Sequence, residues 1–240
     1  MVSGAFYIPK ERRSHPKGQD AHFICKEKQT IGVADGVGKL IDQGIDSGKY
    51  ARKLMSNFVG ELDTMESNRN IDLKEILEKA YSKTLKQGSS TACILALMNN
   101  SLHAANVGDS GFLLIRNGVV FYKSPIQVKR FNCPYQLGIR HQKPKAAQIF
   151  TLPVEAGDVV ILGTDGLFDN LYTSDIQNIV HKSSGAEPEQ VARTIAEHAY
   201  YNSIDKAAPT PFTEACFEEG HERYGGKEDD ITVIVSFIIN

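Results

Sequence analysis

Four aspartates stand where a strand-forming run gives way to glycine or polar turn residues: Asp35 in GVADGVGK, Asp109 in NVGDSGF, Asp165 in TDGLFDN and Asp229 in GGKEDDITV. One Asp-Gly is ordinary turn chemistry, because the short carboxylate bonds nearby backbone and glycine tolerates left-handed dihedrals. Four at strand ends ask for more. Carboxylates gathered at one edge repel unless a cation neutralises them, and oxygen donors without His or Cys favour Mg²⁺ or Mn²⁺ over zinc. Two such ions lower the pKa of a bound water and neutralise charge on a phosphate oxygen, which suits phosphate esters, among the slowest esters to hydrolyse unaided. The residues alone lead one to expect a two-metal hydrolase of phosphate esters.

The surrounding pattern must deliver those carboxylates. Two apolar runs, Ala21 to Cys25 and Thr30 to Ala34, flank KEKQ and predict a hairpin whose second strand ends at Asp35. From Ser47 to Leu62, apolar residues recur at helical spacing, and Asp72 with Glu75 predicts a capped helix reaching about Lys86. The period then changes. STACILALM, LHAANVG and GFLLIRNGVVFYK read as antiparallel strands, with a type I′ turn at Asn117-Gly118 and a weaker turn signal at Asn99-Asn100. Strands are expected at Gln148 to Leu152 and Asp158 to Gly163, the second running into TDGLFDN. Ser174 with Gln177 suggests a short capped helix ending near His181, and Pro188 opens another helix reaching about Asn202. The stretch on to Tyr224 yields no assignment. The β-branched run ITVIVSFII needs burial on both faces.

Bulk properties narrow the class. The chain has 240 residues, 41% hydrophobic, enough for a sizeable core, and one domain spanning residues 1–240 is expected. With 27 Lys plus Arg against 29 Asp plus Glu, the net charge of -2 gives no reason to expect nucleic acid or a membrane surface. Cys25, Cys93, Cys133 and Cys216 form no C-x-x-C pair, which reads as a reducing compartment and no zinc site. No apolar run approaches the roughly 18 residues of a membrane span, and no signal-peptide core opens the chain, so a soluble protein is expected. Nothing such as a heptad repeat argues against a monomer.

The motifs GQDAHF, VADGVG, GSSTACI, NVGDSGF, TDGLFDN and GGKEDDITVIVS, in this order and spacing, resemble the type 2C metal-dependent protein serine/threonine phosphatases, over about Gly18 to Ser236. The similarity is closest to the short branch with plant and mitochondrial members. It implies an α+β fold, a four-layer α-β-β-α sandwich of two stacked antiparallel sheets flanked by helices. It further implies two Mg²⁺ or Mn²⁺ ions, with a third in many members, and a phosphoprotein substrate. By this resemblance Asp35 bridges both ions, the Gly36 carbonyl binds the second, and Asp165 and Asp229 complete the first. Asp109 corresponds to the ligand of the weaker third ion, and Asp20 orients water on the second. Asp230 fills a neighbouring position and is not a ligand. A hydroxide bridging the ions would attack phosphorus in line, without a phosphoenzyme. Plastid or mitochondrial placement follows from the branch alone, with cytoplasm or nucleus as alternatives.

Three departures from the family pattern matter. Gln19 stands where the family has Glu, which predicts weaker affinity at the second ion. Val37 replaces a histidine proposed to protonate the leaving alkoxide, and valine cannot titrate. Lys39 and Leu40 replace a glycine and tryptophan and alter the rim. Gln19 and the altered rim raise a rival reading: a noncatalytic pseudophosphatase that binds a phosphoprotein or regulates a kinase. A small-molecule phosphatase on the same scaffold is a lesser alternative. The phosphate-contacting arginine of longer relatives has no clear counterpart, and Arg12, Arg13, His15 and Lys17 are candidates that read equally as surface residues. Ser89, Ser90 and Thr91 lack an activating neighbour and read as strand-start hydrogen bonders, not nucleophiles. Selectivity is expected in the Pro- and aromatic-rich PIQVKRFNCPYQL loop and in residues 203–224.

Overall fold

The computed structural model describes residues 1–10, 17–65, 71–138 and 142–239. In chain order the first elements are β1 (Val2–Ile8), β2 (Ala21–Cys25), β3 (Thr30–Ala34), α1 (Ser47–Asp63) and α2 (Leu73–Ser82). There follow β4 (Ser89–Ser90), β5 (Ala92–Met98), β6 (Ser101–Val107), β7 (Gly111–Arg116) and β8 (Val119–Lys123). The middle of the chain adds β9 (Val128–Arg130), β10 (Cys133–Pro134), β11 (Leu137–Gly138), β12 (Gln148–Pro153) and β13 (Val159–Gly163). Four helices, α3 (Asp165–Phe168), α4 (Thr173–Lys182), α5 (Pro188–Ile204) and α6 (Pro211–Glu218), precede β14 (Ile231–Phe237).

Two five-stranded sheets result, ordered β1-β14-β13-β7-β8 and β12-β6-β5-β3-β2, with antiparallel neighbours throughout. Ile31, Val33 and Leu95 of one sheet pack on Phe112, Leu114, Leu162 and Ile234 of the other. The helical stripe Tyr50, Leu54, Phe58 and Leu62 of α1 joins α2 on the outer face of the second sheet, against Ala34 and Ile94. On the opposite outer face Ile176 of α4 and Val191, Ile195 and Ala199 of α5 cover Leu113, Ile161 and Val233. The expected α-β-β-α layering is therefore present. Along β14, Val233 and Val235 face the helices while Ile234 faces the other sheet, which accounts for a run apolar at successive positions.

Turn chemistry follows the sequence. Asn117-Gly118 and Asn99-Asn100 both place two consecutive residues at positive φ, as a two-residue hairpin of matching twist requires. Some boundaries differ from expectation. α2 ends at Ser82 rather than Lys86, because the Thr84 hydroxyl turns back to the Ala80 carbonyl (2.7 Å) and Leu85 is exposed, leaving no apolar face to extend. α4 starts at Thr173, so Ser174 lies inside its first turn and does not cap it, and the Gln177 side chain instead accepts the Val120 N–H (3.0 Å). The unassigned stretch contains α6, capped by Thr210, whose hydroxyl oxygen accepts the Thr213 N–H (3.2 Å). β1, unforeseen, pairs along its full length with β14. Among the described residues no helix is long and apolar enough to cross a membrane.

Candidate metal centre

Strand register brings the predicted carboxylates to one edge. Ala21 opposes Ala34, Ala92 opposes Val107, and Gly163 opposes both Gly111 and Val233, so residues just beyond these pairs emerge together. Asp20 precedes β2, Asp35 follows β3, Asp109 lies between β6 and β7, Asp165 opens α3, and Asp229 precedes β14. The Asp35 backbone is held from both sides: its N–H donates to Thr91 Oγ1 (3.0 Å) and its carbonyl accepts the Thr91 N–H (2.9 Å). The Thr91 hydroxyl in turn shares a hydrogen bond with Ser110 Oγ (2.7 Å). Ser89 accepts the Val37 N–H on its carbonyl (3.0 Å) and donates its hydroxyl to Gln136 Oε1 (3.0 Å), so Ser89 and Thr91 both make the hydrogen bonds of a strand start. Gly36 cannot carry a side chain here, because a Cβ would lie 2.5 Å from the Gln19 carbonyl oxygen and 2.8 Å from the Ser47 backbone.

One carboxylate oxygen from each of Asp35, Asp109 and Asp165 lies within 4.8 Å of the others. Asp109 thus joins Asp35 and Asp165 directly, while Asp20 and Asp229 stand outside this trio. Burial pushes the Asp35 carboxyl well above the usual range, and the charges of Asp165, Asp20, Asp229 and Asp109 push it further. Burial and Asp165 likewise raise Asp109, partly offset by Lys227. Asp165 behaves oppositely: burial alone would raise it, but the Lys227 ammonium at 2.5 Å draws it below the ordinary value. Asp229 is pushed up to about 6 by burial and Asp165, against the pull of Lys227 and Lys10. Asp20 accepts the hydroxyls of Thr164 (2.8 Å) and Thr232 (2.7 Å) on one oxygen, yet burial and Asp230 still raise it well above normal. Asp230 accepts the Tyr7 hydroxyl (2.7 Å) and the backbone N–H groups of Lys10 (3.0 Å) and Gln19 (3.1 Å).

A cleft of about 500 Å³ opens over this cluster, lined by Asp35, Val37, Lys39, Asp165, Lys227 and Asp229, with Lys10 at its rim. Val37 and Lys39 therefore face the site, as their motif positions imply. Arg12, Arg13 and His15 lie outside the described residues. Lys17 lines a different cavity, with Tyr7, His22 and Arg52. Sequence reasoning missed Lys10, Lys227 and Asp169, although the last two sit inside the motifs GGKEDD and TDGLFDN. Beside the cleft runs a second cavity of about 590 Å³, reaching Asp109 and Asp165 and lined by both segments expected to govern selectivity: Ile126, Val128 and Phe131 from one, Phe212 and Glu219 from the other. Phe131 stacks on Phe212 at 5.7 Å.

The donor set fits a hard divalent cation. Among the described residues, Asp165, Asp109 and Asp20 each bury a carboxylate oxygen (Oδ1) without a hydrogen-bond partner, and such atoms are costly unless a cation or water meets them. A double sandwich with an all-oxygen acidic cluster at its sheet edge is the arrangement that the resemblance to the metal-dependent phosphatases implies. The family model described as Stage II sporulation protein E (SpoIIE) matches residues 27–237. Two Arabidopsis thaliana proteins, "Probable protein phosphatase 2C 80" and "Probable protein phosphatase 2C 55", are 45% and 48% identical over 99% of this chain. The X-ray structure of the photosystem II phosphatase PBCP superposes with a TM-score of 0.92 at 30% identity, over 99% of this chain and 98% of that one. The chain belongs to the type 2C protein phosphatase family. It spans 58% and 52% of the length of the two plant relatives.

Proposed function

We propose that residues 1–240 form one catalytic unit of a Mg²⁺- or Mn²⁺-dependent phosphatase acting on phosphoserine and phosphothreonine in proteins. The observation that carries this reading is the convergence of Asp35, Asp109 and Asp165 oxygens within 4.8 Å, with Asp35 and Asp165 lining one open cleft and Asp109 and Asp165 the cavity beside it. In it, Asp35, Asp165 and Asp229 with the Gly36 carbonyl would hold two ions, Asp109 would serve a third, and Asp20 would orient water. When bound, such ions supply a water of lowered pKa and neutralise phosphate charge. The chain's own groups do the rest. Thr91 fixes the Asp35 backbone, and Lys10 and Lys39 present positive charge at the rim to a dianionic phosphate. Val37 carries no proton, so the leaving alkoxide takes one from another group. The cavity lined by Phe131 and Phe212 would receive substrate residues flanking the phosphorylated side chain.

The test is hydrolysis of phosphothreonine peptides with Mn²⁺. Asp165→Asn should lower kcat by at least about 100-fold, since loss of even an indirect metal partner costs 10- to 100-fold. Metal binding by the wild-type chain without turnover of peptide or p-nitrophenyl phosphate would instead establish the noncatalytic reading, and turnover of metabolites alone would redirect it to a small-molecule phosphatase.

A further inference from the structure

Lys227 is largely buried and lies within salt-bridge distance of three carboxylates. Its ammonium lies 2.5 Å from Asp165 Oδ2, 2.6 Å from Asp169 Oδ2 and 3.6 Å from Asp229 Oδ2. The lysine is not a mobile surface arm. Its N–H donates to Asn170 Oδ1 and its carbonyl accepts Asn170 Nδ2, both at 2.9 Å, and the ammonium sits 5.2 Å from the centre of the Phe212 ring. Two of its three acidic partners are the residues assigned to the first ion, and the third, Asp169, is assigned to nothing.

We infer that Lys227 is an internal counter-cation that binds Asp165 and Asp229 in the metal-free chain, competes with the first divalent ion for them, and keeps Asp169 as its own partner when that ion binds. The inference rests on the metal-site reading above. Its physical basis is charge. An ammonium and a divalent ion sharing Asp165 and Asp229 in a poorly solvated pit repel each other strongly. Yet the cluster needs a cation at its centre, because Asp35, Asp109, Asp165, Asp169 and Asp229 otherwise crowd with only Lys10 acting on Asp229 and Arg223 on Asp169 to offset them. A lysine held by backbone at Asn170 and by Asp169 meets both demands. It compensates the acids when metal is absent and can yield two of them without leaving its own charge unpaired. Lys227 is thus a positioning residue that lowers the affinity of the first ion.

The experiment is calorimetric titration of Mn²⁺ into the whole chain without substrate, for wild type, Lys227→Met, Lys227→Gln, Asp169→Asn and the Lys227→Met/Asp169→Asn double variant, each checked for folding by circular dichroism. Removing the ammonium should tighten Mn²⁺ binding at least tenfold in either lysine variant and lower the melting temperature of the metal-free protein. Asp169→Asn alone should weaken Mn²⁺ binding, because Lys227 then has only the ion's ligands to pair with. In the Lys227→Met background the same change should have less than half that logarithmic effect, the non-additivity expected of coupled neighbours. Binding by Lys227→Met where wild type binds none would support the inference in its extreme form. Unchanged or weaker affinity in both lysine variants would overturn it and leave the metal site standing, whereas no binding by any variant would bring down both.

Discussion

At the scale of single residues, the site depends on groups that never touch substrate. The Thr91 hydroxyl accepts the Asp35 N–H and shares a hydrogen bond with Ser110, so both backbone and side chain of one buried threonine fix where Asp35 points. Thr91→Val keeps the shape and removes the oxygen. The orphaned Asp35 N–H and Ser110 hydroxyl should lower stability by about 1–3 kcal/mol, and Mn²⁺ affinity should fall about tenfold as the ligand loosens. Urea titration and calorimetry read the two effects separately. Thr164 and Thr232 do equivalent work for Asp20, donating hydroxyls to one oxygen and leaving the other turned away from any partner among the described residues.

Elements are tied together by two contacts whose removal has definite consequences. Arg116, the last residue of β7, donates from Nε (2.9 Å) and Nη2 (2.8 Å) to the two oxygens of Asp158 and from Nη1 to Glu155 (3.0 Å), pinning the β12–β13 turn. Burial would raise the Asp158 carboxyl, but the Arg116 bonds and the Glu155 N–H hold it below its ordinary value. A carboxyl whose pKa falls on folding stabilises the protein above its unfolded pKa, and that contribution disappears as pH drops through the folded one. The melting-temperature gap between wild type and Asp158→Asn should therefore be constant from about pH 5 to 8 and close below about pH 4. The second contact is β1 on α5. A Cβ at Gly4 would lie 2.2 Å from the Glu189 nitrogen and 2.6 Å from its Cα, both backbone atoms at the start of the helix. Gly4→Ala should force helix from strand and cost about 1–3 kcal/mol by urea denaturation, the usual range for overpacking.

The whole molecule is a sandwich that concentrates negative charge at one edge and offsets it chiefly with Lys227, which lies within salt-bridge distance of three of the carboxylates. Cation binding should therefore be read out globally. Mn²⁺ at 100 times its dissociation constant adds about 2.7 kcal/mol to stability, which for a 240-residue chain corresponds to a melting-temperature rise of roughly 5–10 °C. A chelator should reverse the shift and Asp165→Asn should abolish most of it. A chain whose melting temperature ignores Mn²⁺ while folded and active would contradict the carboxylate assignment. The same architecture sets the cleft and the aromatic-lined cavity side by side, so that charge at Lys10 and Lys39 and apolar surface at Phe131 and Phe212 bound adjoining volumes.

How much of this was legible in the residues depends on how far apart the interacting groups lie in the chain. The β2–β3 hairpin, the Asn-turn hairpins and the stripe of α1 are local patterns, and the sequence alone determined them. The aspartates were legible too, because each sits in its own short motif at a strand end. β1 was not: VSGAFYI has glycine and serine in place of a clean alternation, and it becomes a strand only because β14, more than 220 residues later, offers an unpaired edge. α6 carried its Thr-Pro start signal, obscured by the polar stretch around it. Lys227 and Asp169 were visible as letters in known motifs, but only the fold could decide that one ammonium reaches three carboxylates from two segments. Sequence determines which groups are available and which local elements carry them. Tertiary structure decides which charges meet, because electrostatic coupling depends on distances of a few ångströms that strand register and helix packing alone set.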